Sequence, residues 1–189
     1  MCNPSAFDEE GIPHTDPTAL TAEELLGLSA KAISRDDARI MRLDHIAIAA
    51  EDARVPLSFY CQLLGLRANP PQVVPDEGVI VTLVDVPGSQ IEILEPTTDS
   101  SPVAKFIRER GGGLHHFCFE VVGLPKLLTR LKEAGVELVD EEPRPGRRGE
   151  QIAFIHPRYA HHVLVELAEP PPPDNAAGPC HPSGHAQEP

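Results

Sequence analysis

No apolar run in this sequence approaches the roughly 20 residues that a membrane-spanning helix requires, although 41% of its 189 residues are hydrophobic. Nor does the chain start with a basic stretch leading into an apolar one, or with an Arg-rich amphipathic segment. Its start is acidic, and a cytoplasmic protein with no membrane partner is the expectation. Cysteine is scarce: Cys2, Cys61, Cys118 and Cys180 lie far apart, with no CxxC pair and no disulfide framework. Free thiols in a reducing compartment follow, with Cys61 and Cys118 read as small buried hydrophobes. Positive charge is in deficit, 16 Lys and Arg against 29 Asp and Glu, for a net charge of −13. That balance speaks against nucleic acid or an anionic membrane surface as the main partner. It leaves room for a small anionic substrate, because a local basic cluster acts against the global sign.

The two ends of the chain have a character of their own. Residues 1–40 hold eight acids against three bases, and residues 1–20 are rich in Pro, Asp, Thr and Asn without periodicity. Thr21-Ala-Glu-Glu24 then resembles a capping box that opens a short helix through Leu25, Leu26, Leu28 and Ala32. This extension is expected to be partly disordered, with its helix peripheral or packed on a partner chain. Residues 171–189 form a Pro-rich tail with no base. Disorder is expected there, with His181 and His185 solvated.

Between the ends, over 41–170, the chain repeats itself. Leu43-Asp-His-Ile-Ala-Ile-Ala49 alternates as a strand should, and Leu114-His-His-Phe-Cys-Phe-Glu120 has the same form, so that His45 matches His116. Each strand leads into a helical pattern, through Leu57, Phe59, Tyr60, Leu63 and Leu64 or through Leu127, Leu128 and Leu131. Gly65 and Gly135 stand where left-handed C-terminal caps belong. Each half closes on a similar strand, Ile91-Glu-Ile-Leu-Glu-Pro96 against Val165-Glu-Leu-Ala-Glu-Pro170, and the spacing from His45 to Glu92 is 47 residues against 50 from His116 to Glu166. Further strands are expected at 78–86, 136–140 and 151–156, and a helix over 102–110 links half one (41–97) to half two (112–170). The expected class is α+β: two tandem βαβββ units forming facing half-barrels.

In this repeat each half carries one His on its first strand and one Glu on its last. A lone inward His is usually a hydrogen-bonded core residue. A lone Glu between large aliphatics is harder to place, because burying an unpaired carboxylate is costly. At repeat-equivalent positions the set His45, Glu92, His116 and Glu166 can converge on one centre and hold a first-row divalent ion, leaving positions open for water or substrate. His115 faces the other side of its strand and is expected to support the site rather than to ligate. Glu95 and Glu169 are also repeat-equivalent, but each sits at a strand end before Pro and is expected to be exposed.

These residues carry a resemblance. Asp44-His45, Glu92-Ile-Leu-Glu-Pro96, Ser101-Pro-Val-Ala-Lys-Phe106, Gly113-Leu-His-His116, the segment Asp140-Glu-Glu-Pro-Arg-Pro-Gly146, Phe154-Ile-His-Pro157 and Val163-Leu-Val-Glu-Leu167 resemble the methylmalonyl-CoA epimerase family of the vicinal-oxygen-chelate, or glyoxalase-like, superfamily. The likeness covers nearly all of 41–170 and neither tail. It implies interconversion of the (R) and (S) epimers of methylmalonyl-CoA by proton abstraction at C2 through a metal-stabilised enolate. His45, Glu92 (Gln in some members), His116 and Glu166 fall on the family's metal ligands, for Co²⁺, Mn²⁺, Zn²⁺ or Ni²⁺. A homodimer and an acyl-CoA substrate are implied likewise.

Two departures stand out. Some members carry a further glutamate where this chain has Val81, so Glu166 and Glu92 are assigned the proton transfer while also acting as ligands. Where the family has small residues, usually Gly, this chain has Tyr159-Ala-His-His162, whose imidazoles are expected to narrow the way in for the acyl-CoA. Arg144, Arg147, Arg148 and Arg158 form a basic patch, and Arg147, Arg148 and Arg158 are the expected contacts to the substrate's phosphates. The alternatives are a glyoxalase I-like lyase, an epimerase of a different acyl-CoA, and a non-enzymatic small-molecule binder of the same superfamily. The retained fourth ligand disfavours an extradiol dioxygenase, and the inward His/Glu set disfavours a metal-free binder.

Overall fold

The computed structural model describes residues 38–172, so the capping box, its helix and most of the Pro-rich tail lie outside the described residues. Strand β1, Arg39–Ala49, begins two residues before the expected domain boundary. It leads into α1, an α-turn at Arg54–Leu57 that continues as a π-helical stretch, Ser58–Leu63, and Gly65 then takes a positive φ of 72°. Strands β2 (Arg67–Ala68), β3 (Gln72–Val74), β4 (Val79–Val86) and β5 (Ser89–Pro96) complete half one. The linking helix α2 spans Pro102–Arg110, as the sequence predicts; Ser101 caps it, its side chain accepting from Val103 N–H. Half two has β6 (Gly113–Val122), α3 (Leu124–Glu133), β7 (Arg144–Pro145), β8 (Gln151–Ile155) and β9 (Leu164–Glu169).

The strands form one nine-stranded sheet in the order β2-β4-β5-β1-β6-β9-β8-β7, with β3 on the edge of β4. The repeat is visible in the register. In half one β1 runs parallel to β5, with Ala47 opposite Glu92. In half two β6 runs parallel to β9, with Cys118 opposite Glu166. Each Glu therefore faces the residue two places after its half's His, on the same side of the sheet. The halves join where β1 pairs antiparallel with β6, Ala47 opposite His116.

Alternation sorts the apolar residues into two faces. On the outer face of half one, Ile48, Val84, Ile91 and Ile93 meet Leu57, Tyr60 and Cys61 of α1. On its inner face Ala47, Ala49, Val79, Val81 and Leu94 pack with Val103 and Ile107 of α2. In half two the outer residues Val121, Ala153 and Leu167 receive Leu124 and Leu128 of α3. The inner residues there are Cys118, Ile152 and Ala168, with Phe154 beside them.

The strand expected at 136–140 does not form; a single bridge joins Leu138 to Ile155. Asp140 interrupts the ladder, because its carboxylate accepts from Phe154 N–H at 3.0 Å, where a strand would offer a carbonyl. The two carboxylates expected to be exposed are not. Glu95 accepts from Ala53 N–H (2.7 Å) at the start of α1, and Glu169 accepts from Gly123 N–H (2.5 Å) and Leu124 N–H (3.1 Å) at the start of α3. The last strand of each half thus supplies the anion that satisfies orphan amides of that half's helix.

Candidate metal centre and active site

The inner face of the curved sheet lines a cavity of about 480 Å³, walled by residues of both halves. His45, Glu92, His116 and Glu166 meet in it, each less than a tenth exposed. The two imidazole Nε2 atoms stand 3.1 Å apart. Oε2 of Glu166 lies 3.1 Å from His116 Nε2 and 3.6 Å from His45 Nε2. Oε2 of Glu92 lies 3.4 Å from His45 Nε2 and 3.9 Å from His116 Nε2. Four donors thus converge from four strands, as the repeat predicts.

The outer nitrogens show how the rings are held. His45 Nδ1 bonds to Asp44 Oδ2 at 2.9 Å, and Asp44 in turn takes Arg148 (2.9 Å) and Arg42 (2.6 Å). His116 Nδ1 bonds to His115 Nδ1 at 2.9 Å. Occupied outer nitrogens leave both Nε2 lone pairs free to turn inward, the usual support for an imidazole that binds metal. The hydrogen bond from His45, assisted by Arg148, outweighs burial and holds the Asp44 carboxyl well below the usual carboxylate range. Burial works to lower His45, but the bond to Asp44 and the charges of Glu92 and Glu166 outweigh it, so its pKa is raised. Burial, then the charge of His116, pulls His115 down to about 4, so it stays neutral and its Nδ1 can accept a hydrogen bond from His116 Nδ1–H. Burial would raise Glu166, yet the hydrogen bond and charge of His116 carry it the other way. Cys118, fully buried near Asp44 and His45, is pushed far up by burial and is no thiolate.

The donor set suits a divalent cation. Two imidazole nitrogens at hydrogen-bond distance, flanked by two carboxylate oxygens in a buried pocket, need a positive charge among them to be stable. His45, His116 and Glu166 offer ligand atoms all within 4.8 Å of one another. Glu92 stands beside this group rather than within it: its Oε2 lies 3.4 Å from His45 Nε2, and its Oε1 is held by the Arg147 guanidinium.

Of the expected phosphate contacts, Arg147 and Arg148 reach the cavity wall, alongside Arg144. Arg158 does not: its guanidinium pairs with Glu137 at 2.7 Å and lies over Tyr159. His161 and His162 are not among the residues that line the cavity. Both are exposed and have positive φ, 47° and 70°, as a turn built for glycine would require. Sequence reasoning assigned no role to Asp44, Glu77 or Glu150. Asp44 is repeat-equivalent to His115, which was the available signal. Glu77 joins the wall from the turn before β4 and burial raises its pKa. Val81 is buried in the half-one core.

Residues 44–154 match the Glyoxalase/Bleomycin resistance protein/Dioxygenase superfamily. The ethylmalonyl-CoA/methylmalonyl-CoA epimerase of Cereibacter sphaeroides is 39% identical over 132 residues, 69% of this chain and 98% of that protein. The chain belongs to the methylmalonyl-CoA epimerase family. Among solved structures, methylmalonyl-CoA epimerase from Mycobacterium tuberculosis is 38% identical, with a TM-score of 0.64 over 70% of this chain and 90% of that one. A variant of the Streptomyces coelicolor methylmalonyl-CoA epimerase in complex with 2-nitronate-propionyl-CoA is 31% identical, with a TM-score of 0.64 over 69% and 95%. The vicinal-oxygen-chelate fold that the resemblance implied, built of the two units expected from the repeat, is thus the fold of these relatives.

Proposed function

We propose that the chain interconverts the (R) and (S) epimers of methylmalonyl-CoA, using a divalent cation held by His45, Glu92, His116 and Glu166. Its class, racemase and epimerase, follows from the family to which it belongs. The observation that carries the reading is the convergence of two imidazole nitrogens and two carboxylates in one buried cavity. When bound, Co²⁺, Mn²⁺, Zn²⁺ or Ni²⁺ supplies positive charge beside the thioester carbonyl as C2 loses its proton. Glu166 and Glu92 carry that proton, one on each face of C2. Glu166 is assigned the abstraction, because among the described residues no arginine contacts it, whereas Glu92 is shared with Arg147. The low-lying His115 and the Asp44 tether keep the two rings in the tautomer that the site needs. The acyl end enters the cavity, the CoA moiety lies outside it, and a homodimer is the working form.

The test is to load the protein with metal, supply one pure epimer and resolve the product by chiral chromatography against a metal-stripped control. Metal-dependent formation of the other epimer is expected. A protein that retains bound metal and leaves the epimer unchanged would refute the substrate, and activity on the methylglyoxal–glutathione adduct would replace the reading with a lyase. Ethylmalonyl-CoA is the second substrate to try, because the Cereibacter sphaeroides relative is named for both.

A further inference from the structure

The repeat does not account for Arg147. It comes from the turn between β7 and β8, its side chain is 16% exposed, and its Nη2 donates to Glu92 Oε1. Its Nη1 reaches Gln72 Oε1 of half one at 3.4 Å. The Glu92 carboxylate is therefore divided, Oε1 on the guanidinium and Oε2 towards the two imidazoles. The turn that presents Arg147 is fixed on both flanks. Glu150, buried, accepts from Arg148 N–H at 2.7 Å, its carbonyl accepts from Gly146 N–H at 2.8 Å, and the Arg148 side chain is tied to Asp44. Nothing like it stands in the other half. The corresponding turn of half one, between β3 and β4, brings Glu77 to the wall in place of a cation, and among the described residues no arginine contacts Glu166. Arg144 and Arg148, the other cations of the wall, pair with Asp140 and with Asp44 and Glu150, away from the four ligand residues.

We infer that Arg147 is a positioning residue that sets the charge of the metal cage: it offsets the second carboxylate and leaves Glu92 to ligate through Oε2 alone. The inference rests on the four-ligand metal reading and deepens it. Two neutral imidazoles and two carboxylates would neutralise a divalent ion completely. With the guanidinium counted, the loaded cage keeps one net positive charge. In a buried pocket such a charge is screened little, so it acts on whatever is bound there. Its effect has two sides. The fixed cation opposes entry of a second one, so the ion is held less tightly than two free carboxylates would hold it. The same surplus charge remains for the oxygen anion that forms as C2 loses its proton. Towards the ion, the Glu92–Arg147 pair thus has the charge of a neutral amide ligand.

The test is the Co²⁺ affinity of the full chain, measured by chelator competition for wild type, Arg147→Met, Arg147→Lys, Glu92→Gln and the double variant Glu92→Gln/Arg147→Met. Arg147→Met should bind Co²⁺ more tightly by roughly 10- to 100-fold, the size of effect that contacts behind a metal ligand have. Glu92→Gln should bind it more weakly by a similar factor, because Arg147 is then a cation without its partner. The double variant should return close to wild type, a coupling that two independent losses would not produce. Arg147→Lys keeps the charge and should stay close to wild type. Unchanged or weaker binding by Arg147→Met would overturn the inference and leave Arg147 as a structural support for Glu92. A double variant that binds no better than Glu92→Gln, or tightening by Arg147→Lys equal to that of Arg147→Met, would overturn it too. Wild type without affinity for Co²⁺ would remove the metal cage itself.

Discussion

The two halves of this molecule are alike in backbone and unlike in electrostatics. Each puts a His on its first strand, a Glu opposite the second residue beyond it, and a carboxylate cap on its helix. Behind the ligands the likeness ends. His45 is backed by an ionised Asp44 that two arginines hold, and Glu92 is held by a third. His116 is backed by a neutral histidine, and Glu166 faces His116, His45 and the fully buried Cys118. The filling differs as well: α2 packs onto the inner face of half one, and Ile152 and Phe154 leave that of half two on the cavity. Duplication built a symmetric cage inside an asymmetric surround: arginines hold the carboxylates of half one, and among the described residues none contacts Glu166.

The comparison can be broken most sharply at the carboxylates. Glu166→Gln should lower proton exchange at C2 roughly 10²- to 10⁴-fold with metal still bound, measured by mass spectrometry of the substrate. Next come the supports. Asp44→Asn should weaken metal binding about 10- to 100-fold in a chelator competition. His115→Gln, which still offers a hydrogen-bond partner, should cost less, because it replaces a neutral group rather than a charged one. Metal addition alone should raise the thermal midpoint, by the equivalent of about 2.7 kcal/mol at a hundredfold excess over Kd; no shift would mean that the cage does not bind the ion tested. Among packing changes, Gly146→Ala should destabilise by roughly 1–3 kcal/mol in urea titration, since a Cβ there would lie 2.7 Å from the Glu150 carboxyl carbon. The smallest effect has the opposite sign. His162→Gly, at a φ of 70°, should stabilise by about 1 kcal/mol without changing the cavity.

Much of this was legible in the sequence for a physical reason. Residues that alternate on buried strands leave a period of two, and a duplicated unit writes its pattern twice, so His45, Glu92, His116 and Glu166 could be paired before any coordinates. Helix α2 was legible from Ser101-Pro102 through Arg110, where cap and first-turn proline coincide. What failed was anything set by side chains distant in sequence. Asp140 displaced a strand by bonding to Phe154, and Glu95 and Glu169 looked exposed because their amide partners lie more than forty residues away. Arg147 and Arg158 looked equivalent in a basic run, but only the turn pinned by Glu150 turns a guanidinium inward. His161 and His162 looked like obstacles, yet both are exposed in a left-handed turn and neither is among the residues that line the cavity.

The central proposal is that Glu166 abstracts the C2 proton on one face while Glu92 serves the other, in a cage that both halves build, and deuterium exchange tests it most directly. Wild type, Glu92→Gln and Glu166→Gln, each with bound metal quantified, would be incubated with each methylmalonyl-CoA epimer in D₂O, following both deuterium at C2 and the epimer ratio. The prediction is that wild type exchanges and epimerises, that Glu92→Gln exchanges one epimer without inverting it, and that Glu166→Gln loses exchange of that same epimer. Wild-type exchange of both epimers by metal-loaded Glu166→Gln would contradict the account.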